Sequence, residues 1–185
     1  MSTSTPPSQR TFTRTAPYAP TLYQCYDAAR LLAESMVGFA PTVSAVIGIA
    51  NGGIKPATVV ADYLGIPLLT AIARHNTSDE PWQQATGQVT VSLPAGLPAT
   101  LEGTVLLVDD IAGSGATFDA VTTALTPRLQ PGSSVLRLAL CRNAGCSNGP
   151  DRWVWNVDDW VVFPWEDPHD GDTRLMPAPR GVLTP

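Results

Sequence analysis

The sequence predicts an α/β domain with a mainly parallel sheet flanked by helices. Three observations predict this class: short apolar runs alternate with helical patterns, each run is apolar throughout, and 185 residues suit one domain. Strands that are apolar at every position are buried on both faces, as parallel strands are. Consecutive strand, helix and strand units then cross over in the right-handed sense. We expect one domain over residues 18–166.

The first half of the chain predicts two helices and two strands. Apolar residues recur at helical spacing after Thr21, and this helix ends before Pro41. Residues 43–49 form a β-branched run that predicts a buried strand. A second helical pattern follows and closes at Gly65, a residue type that favours helix C-termini. Residues 67–73 predict the next strand.

The second half begins with a polar segment and then returns to strands and helices. Residues 74–100 are rich in Thr, Gln, Gly and Pro, so we expect a mobile flap, with alternation over 89–93 that suits an edge hairpin. Residues 104–108 are the strongest strand in the sequence. A helix with an apolar face beginning at Phe118 follows, and residues 135–140 predict another strand.

The two ends of the chain are expected to be less ordered. Residues 1–17 consist mainly of Ser, Thr and Pro, with too little apolar surface to offset the entropy of ordering, so we expect a disordered leader. Residues 150–166 are assigned to a small C-terminal hood. Residues 167–185 are expected to form a flexible tail.

Composition limits the classes of partner. A net charge of −5 and a calculated pI of about 4.8 argue against a general nucleic-acid binder or a binder of anionic membranes. No apolar stretch approaches the roughly 18 residues needed to span a bilayer, and the polar N-terminus is unlike a signal peptide. Three cysteines without CxxC spacing argue against a zinc site or a disulfide framework. A reducing cytoplasm fits these features best.

The candidate functional site is an acidic pair followed by a glycine loop. Asp109 and Asp110 stand at the carboxyl end of a buried strand, where open α/β sheets bind ligands. Residues 113–117 (Gly-Ser-Gly-Ala-Thr) then allow backbone N–H groups and the positive end of the next helix to approach an anion. A sugar phosphate suits this arrangement, since its hydroxyls donate to carboxylates and its phosphate accepts from the loop. Lys55 is the single lysine, so arginines, backbone amides or a metal must supply the remaining positive charge.

Three other interpretations of this segment are a P-loop, a dinucleotide-binding loop and a plain turn. A P-loop needs Gly-Lys-Ser/Thr, whereas Lys55 precedes Pro56. A dinucleotide-binding GxGxxG fails at Phe118, and two carboxylates before the loop repel a pyrophosphate unless a metal intervenes. The third alternative is a plain turn in which the two aspartates only cap the helix.

The thirteen residues from Val105 to Thr117 resemble the ribose-phosphate signature of type I phosphoribosyltransferases: four hydrophobic residues, two acidic ones and a small-residue loop. Residues 48–53 (Gly-Ile-Ala-Asn-Gly-Gly) resemble the pyrophosphate loop of the same family. The resemblance spans roughly residues 43–141 and implies the fold of that family. It also implies transfer of ribose 5-phosphate from phosphoribosyl pyrophosphate to a nitrogen nucleophile, with Mg²⁺ and release of pyrophosphate.

The resemblance also implies roles for individual residues. Asp109 and Asp110 would contact the ribose hydroxyls, act in catalysis, and hold Mg²⁺ partly through the donor and water. The remaining donor-binding residues implied in this way are Asn51, Gly52, Gly53, Arg74, Ala112, Gly113, Ser114, Gly115, Ala116 and Thr117.

The segment 159–166 resembles the purine-binding end of the xanthine-guanine and hypoxanthine members of that family. By this resemblance Trp160 stacks on a flat base, the backbone of Val161 reads its edge, and Arg142 points toward its exocyclic oxygen. The alternative is that the tryptophans of residues 153–165 only pack the end of the chain against the sheet.

Two departures from the family pattern leave the identity of the acceptor open. Gly113 stands where the 6-oxopurine members usually carry an aspartate that is proposed to take the proton of the base, and glycine cannot transfer protons. Asn51 replaces a basic residue of the pyrophosphate loop, with Lys55 and Arg74 as candidate replacements.

The leading hypothesis is an enzyme that acts on a purine or purine-like base. The alternatives are a non-catalytic sensor of nucleotide or phosphoribosyl pyrophosphate, and a transferase that uses ammonia. The resemblance also implies a homo-oligomer, a dimer or a tetramer.

Overall fold

The structure is a computed structural model that describes residues 9–74 and 89–185. In chain order the elements are β1 (Tyr18–Ala19), α1 (Leu22–Ser35), β2 (Val43–Ala50), α2 (Ile54–Leu64), β3 (Leu68–Arg74), β4 (Thr90–Ser92), β5 (Thr104–Ala112), α3 (Ala116–Leu125), β6 (Ser134–Asn143), β7 (Arg152–Val157) and β8 (Arg174–Leu175). Short 3₁₀ helices cover Val37–Thr42 and Thr126–Arg128.

The central sheet has six strands in the order β4-β3-β2-β5-β6-β7. Every neighbouring pair is parallel except β3 and β4, which pair in antiparallel fashion at one edge. The predicted α/β class with a mainly parallel sheet is therefore confirmed. The alternating stretch 89–93 contains the edge strand β4, and residues 75–88 of the expected flap lie outside the described residues.

Helices cover both faces of the sheet, because the side chains of β5 alternate between two cores. Leu106 and Val108 pack toward α1 and α2, whereas Val105 and Leu107 pack toward α3. A capping box at Thr21 begins α1, and Gly65 ends α2 with a φ of 67°. Of the helices in the described part of the chain, none has the length and apolar character needed to cross a bilayer.

The segment assigned to a hood divides into two parts. Residues 152–157 form β7 of the main sheet, parallel to β6, and Trp153 and Trp155 are buried there. Part of the tryptophan-rich end thus packs against the sheet, which was the alternative to a ligand-binding role. Residues 158–166 follow β7 and lie at the carboxyl edge of the central sheet.

The two ends of the chain also differ from the disorder expected from their composition. Residues 9–17, here called the N-terminal arm, are tied to the body: Thr11 N–H donates to Asn143 Oδ1 at 2.7 Å, and Thr13 N–H donates to the Asp158 carbonyl at 3.0 Å. In the expected tail, β8 pairs with β1, and the Leu183 and Trp153 backbones exchange two hydrogen bonds. Polar composition misled the prediction because the partners are distant in sequence. Residues 1–8 lie outside the described part.

Candidate active site

A cavity of about 710 Å³ opens at the carboxyl ends of β2 and β5. At the carboxyl edge of a parallel sheet, the side chains at the strand ends lie close to the backbone amides of the loops that follow. The predicted site residues that line the cavity are Asn51, Gly52, Asp109, Asp110, Ala112, Gly113, Ser114, Gly115, Thr117, Trp160 and Val161. Segments distant in sequence thus meet around one space.

The acidic pair lies on the wall of this cavity. Asp110 is buried and Asp109 is half-buried. The indole Nε1–H of Trp165 donates to Asp110 Oδ2 at 3.2 Å, and the Asp110 N–H donates to Asp109 Oδ1 at 3.0 Å. Trp165 itself stacks on Phe163, with 5.0 Å between ring centroids and planes 6° apart. Sequence reasoning named Trp165 only as a packing residue and missed this hydrogen bond.

Burial raises the pKa of both carboxyl groups. For Asp109 the neighbouring Asp110 charge raises the pKa further, whereas the hydrogen bond from Trp165 opposes the rise for Asp110. Two adjacent carboxylates, one buried and one half-buried, favour any ligand that brings a cation or hydroxyl donors. The arrangement suits a polyhydroxylated, metal-associated ligand.

The glycine loop joins β5 to α3 beside the acidic pair. Gly115 has a φ of 90° and precedes the first turn of α3, and a Cβ there would overlap the Asn148 carbonyl. Ser114 Oγ accepts a hydrogen bond from the Ala116 N–H at 3.3 Å. Ala116 begins the helix and does not line the cavity, whereas Thr117 does. The positive end of α3 faces a loop of small residues, which is how helices commonly bind phosphate.

The second loop joins β2 to α2 across the cavity. The peptide between Ala50 and Asn51 is cis. A Cβ at Gly52 would overlap Asp110 Oδ2, so only glycine lets this loop approach the acidic pair. Gly53 differs from the prediction, since its N–H donates to the Ile49 carbonyl at 2.9 Å and it packs against β5. The Gly53 amide is therefore not directed at the cavity.

Two predicted arginines lie away from the cavity. The Arg142 guanidinium carbon is 4.9 Å from the centre of the Trp153 ring, and Nη2 donates to the Cys146 carbonyl at 3.0 Å. Arg142 does not line the cavity, because neighbouring side chains on a strand point to opposite faces and Asn143 takes the cavity side, so its contact with a base stays a prediction. Arg74 is exposed at the end of β3, outside the cavity wall.

The N-terminal arm supplies site residues that the sequence did not reveal. Arg10 and Phe12 line the cavity beside Trp160. The Arg10 guanidinium carbon is 5.5 Å from the Trp160 ring centre, and the Phe12 and Trp160 centroids are 6.0 Å apart. A Cβ at Gly113 would overlap the Arg10 guanidinium. Nothing in the Ser/Thr/Pro-rich arm signals this placement.

Buried polar groups hold the arm in place. Asp159 is fully buried, and its Oδ2 accepts hydrogen bonds from Thr13 Oγ1 at 2.8 Å and the Thr15 N–H at 3.0 Å. Asn143, also fully buried, exchanges hydrogen bonds with both backbone groups of Thr11. Burial lowers the pKa of Arg10, while the nearby carboxylates raise it. The guanidinium nonetheless remains charged, as arginine does in proteins.

A family model described as phosphoribosyl transferase domain matches residues 23–171. The chain belongs to the phosphoribosyltransferase family, and the predicted family and enzyme class are confirmed. The xanthine-guanine phosphoribosyltransferase of Cereibacter sphaeroides is 30% identical over 151 residues, which are 77% of this chain and 83% of that protein.

Solved structures agree with this assignment. The purine phosphoribosyltransferase of Pyrococcus horikoshii has a TM-score of 0.68 and 25% identity, with 84% of this chain and 97% of that chain covered. The xanthine-guanine-hypoxanthine phosphoribosyltransferase of Helicobacter pylori has a TM-score of 0.65 and 16% identity, covering 80% and 94% of the two chains, and supports the fold alone.

Proposed function

We propose that this enzyme transfers ribose 5-phosphate from phosphoribosyl pyrophosphate to a purine or purine-like base and releases pyrophosphate. One observation carries the proposal: the acidic pair and the glycine loop face the same cavity at the end of β5. This juxtaposition suits the two polar ends of a phosphorylated ribose. The role is one in purine salvage or a related nucleotide pathway.

Groups of opposite electrostatic character hold the two ends of the donor. Asp109 and Asp110 accept hydrogen bonds from the ribose hydroxyls, and residues 112–117 receive the 5′-phosphate at the start of α3. Asn51 and Gly52 face the pyrophosphate from the second loop. Anionic groups beside the sugar favour the positive charge that develops on it as the bond to pyrophosphate breaks.

The acidic pair also fits Mg²⁺, which prefers oxygen ligands. The described residues contain no group of three or more His, Cys, Asp or Glu side chains placed to hold a metal, so a metal bound here takes its other ligands from the donor and from water. When bound, the ion neutralises charge on the departing pyrophosphate. Asp109 and Asp110 are the residues that would hold it.

The acceptor is proposed to stack on Trp160. The Trp160 ring is half-buried in the cavity wall, and Val161 follows with its backbone at the same edge. The similarity to enzymes named for xanthine and guanine favours a purine. Trp160 and Val161 thus remain the proposed base-binding residues.

The test is pyrophosphate release from phosphoribosyl pyrophosphate and Mg²⁺, with adenine, hypoxanthine, guanine and xanthine offered separately. We expect turnover with at least one base and a product whose mass is that of the nucleoside monophosphate. Donor binding without turnover on any base would refute transfer to purines. That outcome would leave a sensor or a different acceptor as the remaining interpretations.

We propose further that the protein is a cytoplasmic homo-oligomer. Leu22, Tyr23 and Tyr26 are exposed on one side of α1, with 84% of Tyr23 accessible. Cys25, Cys141 and Cys146 are free and buried, which suits a reducing compartment. Light scattering coupled to gel filtration tests the assembly, and a monomer at micromolar concentration would refute it.

A further inference from the structure

Backbone hydrogen bonds join the N-terminal arm and β1 to the segment that carries Trp160. The Thr13 N–H donates to the Asp158 carbonyl at 3.0 Å, and the Tyr18 N–H donates to the Trp160 carbonyl at 2.8 Å. The Val162 N–H in turn donates to the Tyr18 carbonyl at 2.8 Å. These bonds fix the register of the arm relative to Trp160, so each side chain of the arm has a set position at the cavity.

A fully buried carboxylate ties the same two segments together. Asp159 Oδ1 accepts a hydrogen bond from the Trp160 N–H at 2.9 Å. Its Oδ2 accepts from Thr13 Oγ1 at 2.8 Å and from the Thr15 N–H at 3.0 Å, and lies 3.4 Å from Arg174 Nη2. Hydrogen bonds to a charged acceptor are stronger than those between neutral groups. The arm and Trp160 are therefore held in one arrangement.

Phe12 is the arm residue whose aromatic ring meets Trp160. Both side chains are half-buried in the cavity wall, with 6.0 Å between the ring centroids and 41° between the ring planes. A tilt of this size lies between a stacked and an edge-to-face arrangement, so the two rings meet at an angle. The pair thus forms two adjoining walls of the cavity.

The path of the arm places Phe12 at the end of the cavity remote from the acidic pair. The Arg10 guanidinium lies against the glycine loop and interacts electrostatically with Asp109 and Asp110. The residue that follows Phe12 donates its backbone N–H to the Asp158 carbonyl. The arm therefore runs from the acidic pair toward the segment 158–162, and Phe12 lies near the second of these two places.

The arm lies outside the part of the chain that the family model matches. That match covers residues 23–171, which include Trp160 and the acidic pair, whereas the arm covers residues 9–17. A cavity wall built by the arm is therefore a feature of this chain that the family assignment does not supply.

We infer that Phe12 determines which acceptors this enzyme takes, because its ring limits the size of the group that a flat base carries on the edge remote from the ribose. This inference rests on the proposed function. A base that lies on Trp160 meets the Phe12 ring with that edge, and burial of the contact surface favours binding. A bulky substituent at the same edge overlaps the ring, and close-packed walls accommodate extra volume poorly. The substrate class is a purine-like heterocycle whose six-membered ring carries only small substituents.

The test measures acceptor selectivity in Phe12→Ala, with Phe39→Ala as the matched control. Phe39 is 39% exposed in the 3₁₀ helix Val37–Thr42, outside the described wall of the cavity. Guanine or hypoxanthine, whichever turns over faster, is compared with derivatives that carry a benzyl group on the C2 substituent or at C8. The C2 atom belongs to the six-membered ring, whereas C8 lies next to the nitrogen that takes the ribose.

We expect the unaltered enzyme to reject the C2 derivative. In Phe12→Ala the ratio of kcat/KM for the C2 derivative to kcat/KM for the parent base should rise by about 10-fold or more, because a steric clash is relieved. The kcat/KM for the parent base should fall by about 2- to 12-fold, the loss of one aromatic contact. The C8 derivative should stay excluded and the donor KM should not change. Phe39→Ala should behave as the unaltered enzyme.

The selectivity ratio is a readout that a purely structural role of Phe12 would not move. If Phe12 only supports Trp160, its loss weakens every base by the same factor, and a constant ratio overturns the inference. Acceptance of the C2 derivative by the unaltered enzyme overturns it too. A variant that turns over all bases faster by one factor would show that the arm obstructs the site, which also overturns it.

A second variant covers the case in which alanine loosens the arm. Phe12→Leu keeps an apolar side chain in contact with Trp160 and shortens the wall, so the ratio should rise in the same direction by a smaller factor. A lower Tm of Phe12→Ala together with an unchanged ratio in Phe12→Leu would count against Phe12 as a wall and overturn the inference.

Failure of the proposed function gives a different pattern. If the unaltered protein turns over neither base, calorimetric affinities for the same three compounds replace the kinetic ratio. Tighter binding of the C2 derivative by Phe12→Ala than by the unaltered protein, with weaker binding of the parent base, would then support Phe12 as a wall of a base-binding site. Equal affinities in the two proteins, or no binding of any of the three compounds, would overturn the inference.

Discussion

Asp110→Asn separates the cost of a buried carboxylate from its use in binding. The amide has nearly the same shape, and its oxygen still accepts the hydrogen bond from Trp165 Nε1, now 3.2 Å from Asp110 Oδ2. The negative charge beside Asp109 disappears. The substitution therefore changes the electrostatics of the site and leaves its packing nearly intact.

The unliganded protein should become more stable near neutral pH. Burial raises the pKa of Asp110, so the folded state disfavours the ionised form relative to the unfolded state. That penalty is absent below the pKa of the unfolded chain and grows as pH rises through the folded pKa. Asp110→Asn removes the penalty, and the gain in the free energy of unfolding should be larger at pH 7 than at pH 4.

Donor binding should stabilise the variant much less. One charged hydrogen bond contributes about 1.5–3 kcal/mol, or roughly 10- to 150-fold in affinity. At a donor concentration of about 100 Kd, binding stabilises the unaltered protein by about 2.7 kcal/mol. A roughly 30-fold loss of affinity leaves about 0.9 kcal/mol. At about 2–4 °C per kcal/mol, the donor-induced rise in Tm falls from roughly 5–11 °C to roughly 2–4 °C.

The assay is thermal unfolding at pH 4 and pH 7, with and without phosphoribosyl pyrophosphate and Mg²⁺. Asp62→Asn, an exposed aspartate on α2, is the matched control and should change neither quantity. An undiminished donor-induced shift would refute the proposed role of Asp110 in binding ribose. A large loss of stability without donor would show instead that the ionised carboxylate helps to hold the fold.

Three further substitutions test other parts of the site. Trp160→Ala should raise the KM of the base more than that of the donor, by the ~1–3 kcal/mol of base stacking, in steady-state kinetics. Trp165→Phe removes a hydrogen bond that lowers the pKa of Asp110, so the acid limb of the donor kcat/KM profile should move to higher pH; an unmoved limb would contradict this. Gly52→Ala should weaken donor binding in calorimetry, because the added Cβ overlaps the Asp110 carboxylate, whereas Gly38→Ala meets open space and should not.

The segment that we propose to bind the donor could be located because its signals are local in sequence. The strand that ends in Asp109 and Asp110, and the glycine loop after it, form one continuous segment of β5 and α3. Periodicity and small residues reveal such a segment directly. Prediction was less accurate at Gly53. Which of the two adjacent glycine amides lies at the start of α2, and which faces the cavity, depends on how β2, α2 and β5 pack.

The side of the cavity that we propose for the acceptor was harder to predict, because its contacts join distant residues. Arg142 and Asn143 are adjacent, and only the register of β6 decides which one enters the cavity. The arm is bound by hydrogen bonds between residues 132 to 146 positions apart, which no local pattern encodes. Composition described the arm correctly as polar and gave no sign that Asn143 and Asp159 would bind it.

This division between local and distant contacts has a functional consequence. The proposed donor-binding groups lie on two central units of the sheet, at the β2–α2 loop and at the end of β5 with the start of α3. The cavity wall at Trp160 is built from the arm and the segment 158–166, and Arg174 near the end of the chain contacts both Asp158 and Asp159 at 3.2 and 3.4 Å. Changes at either end of the chain therefore alter the acceptor side of the cavity first. We therefore expect substitutions in the arm or in the segment 158–166 to change the choice of acceptor before they change the proposed chemistry at Asp109 and Asp110.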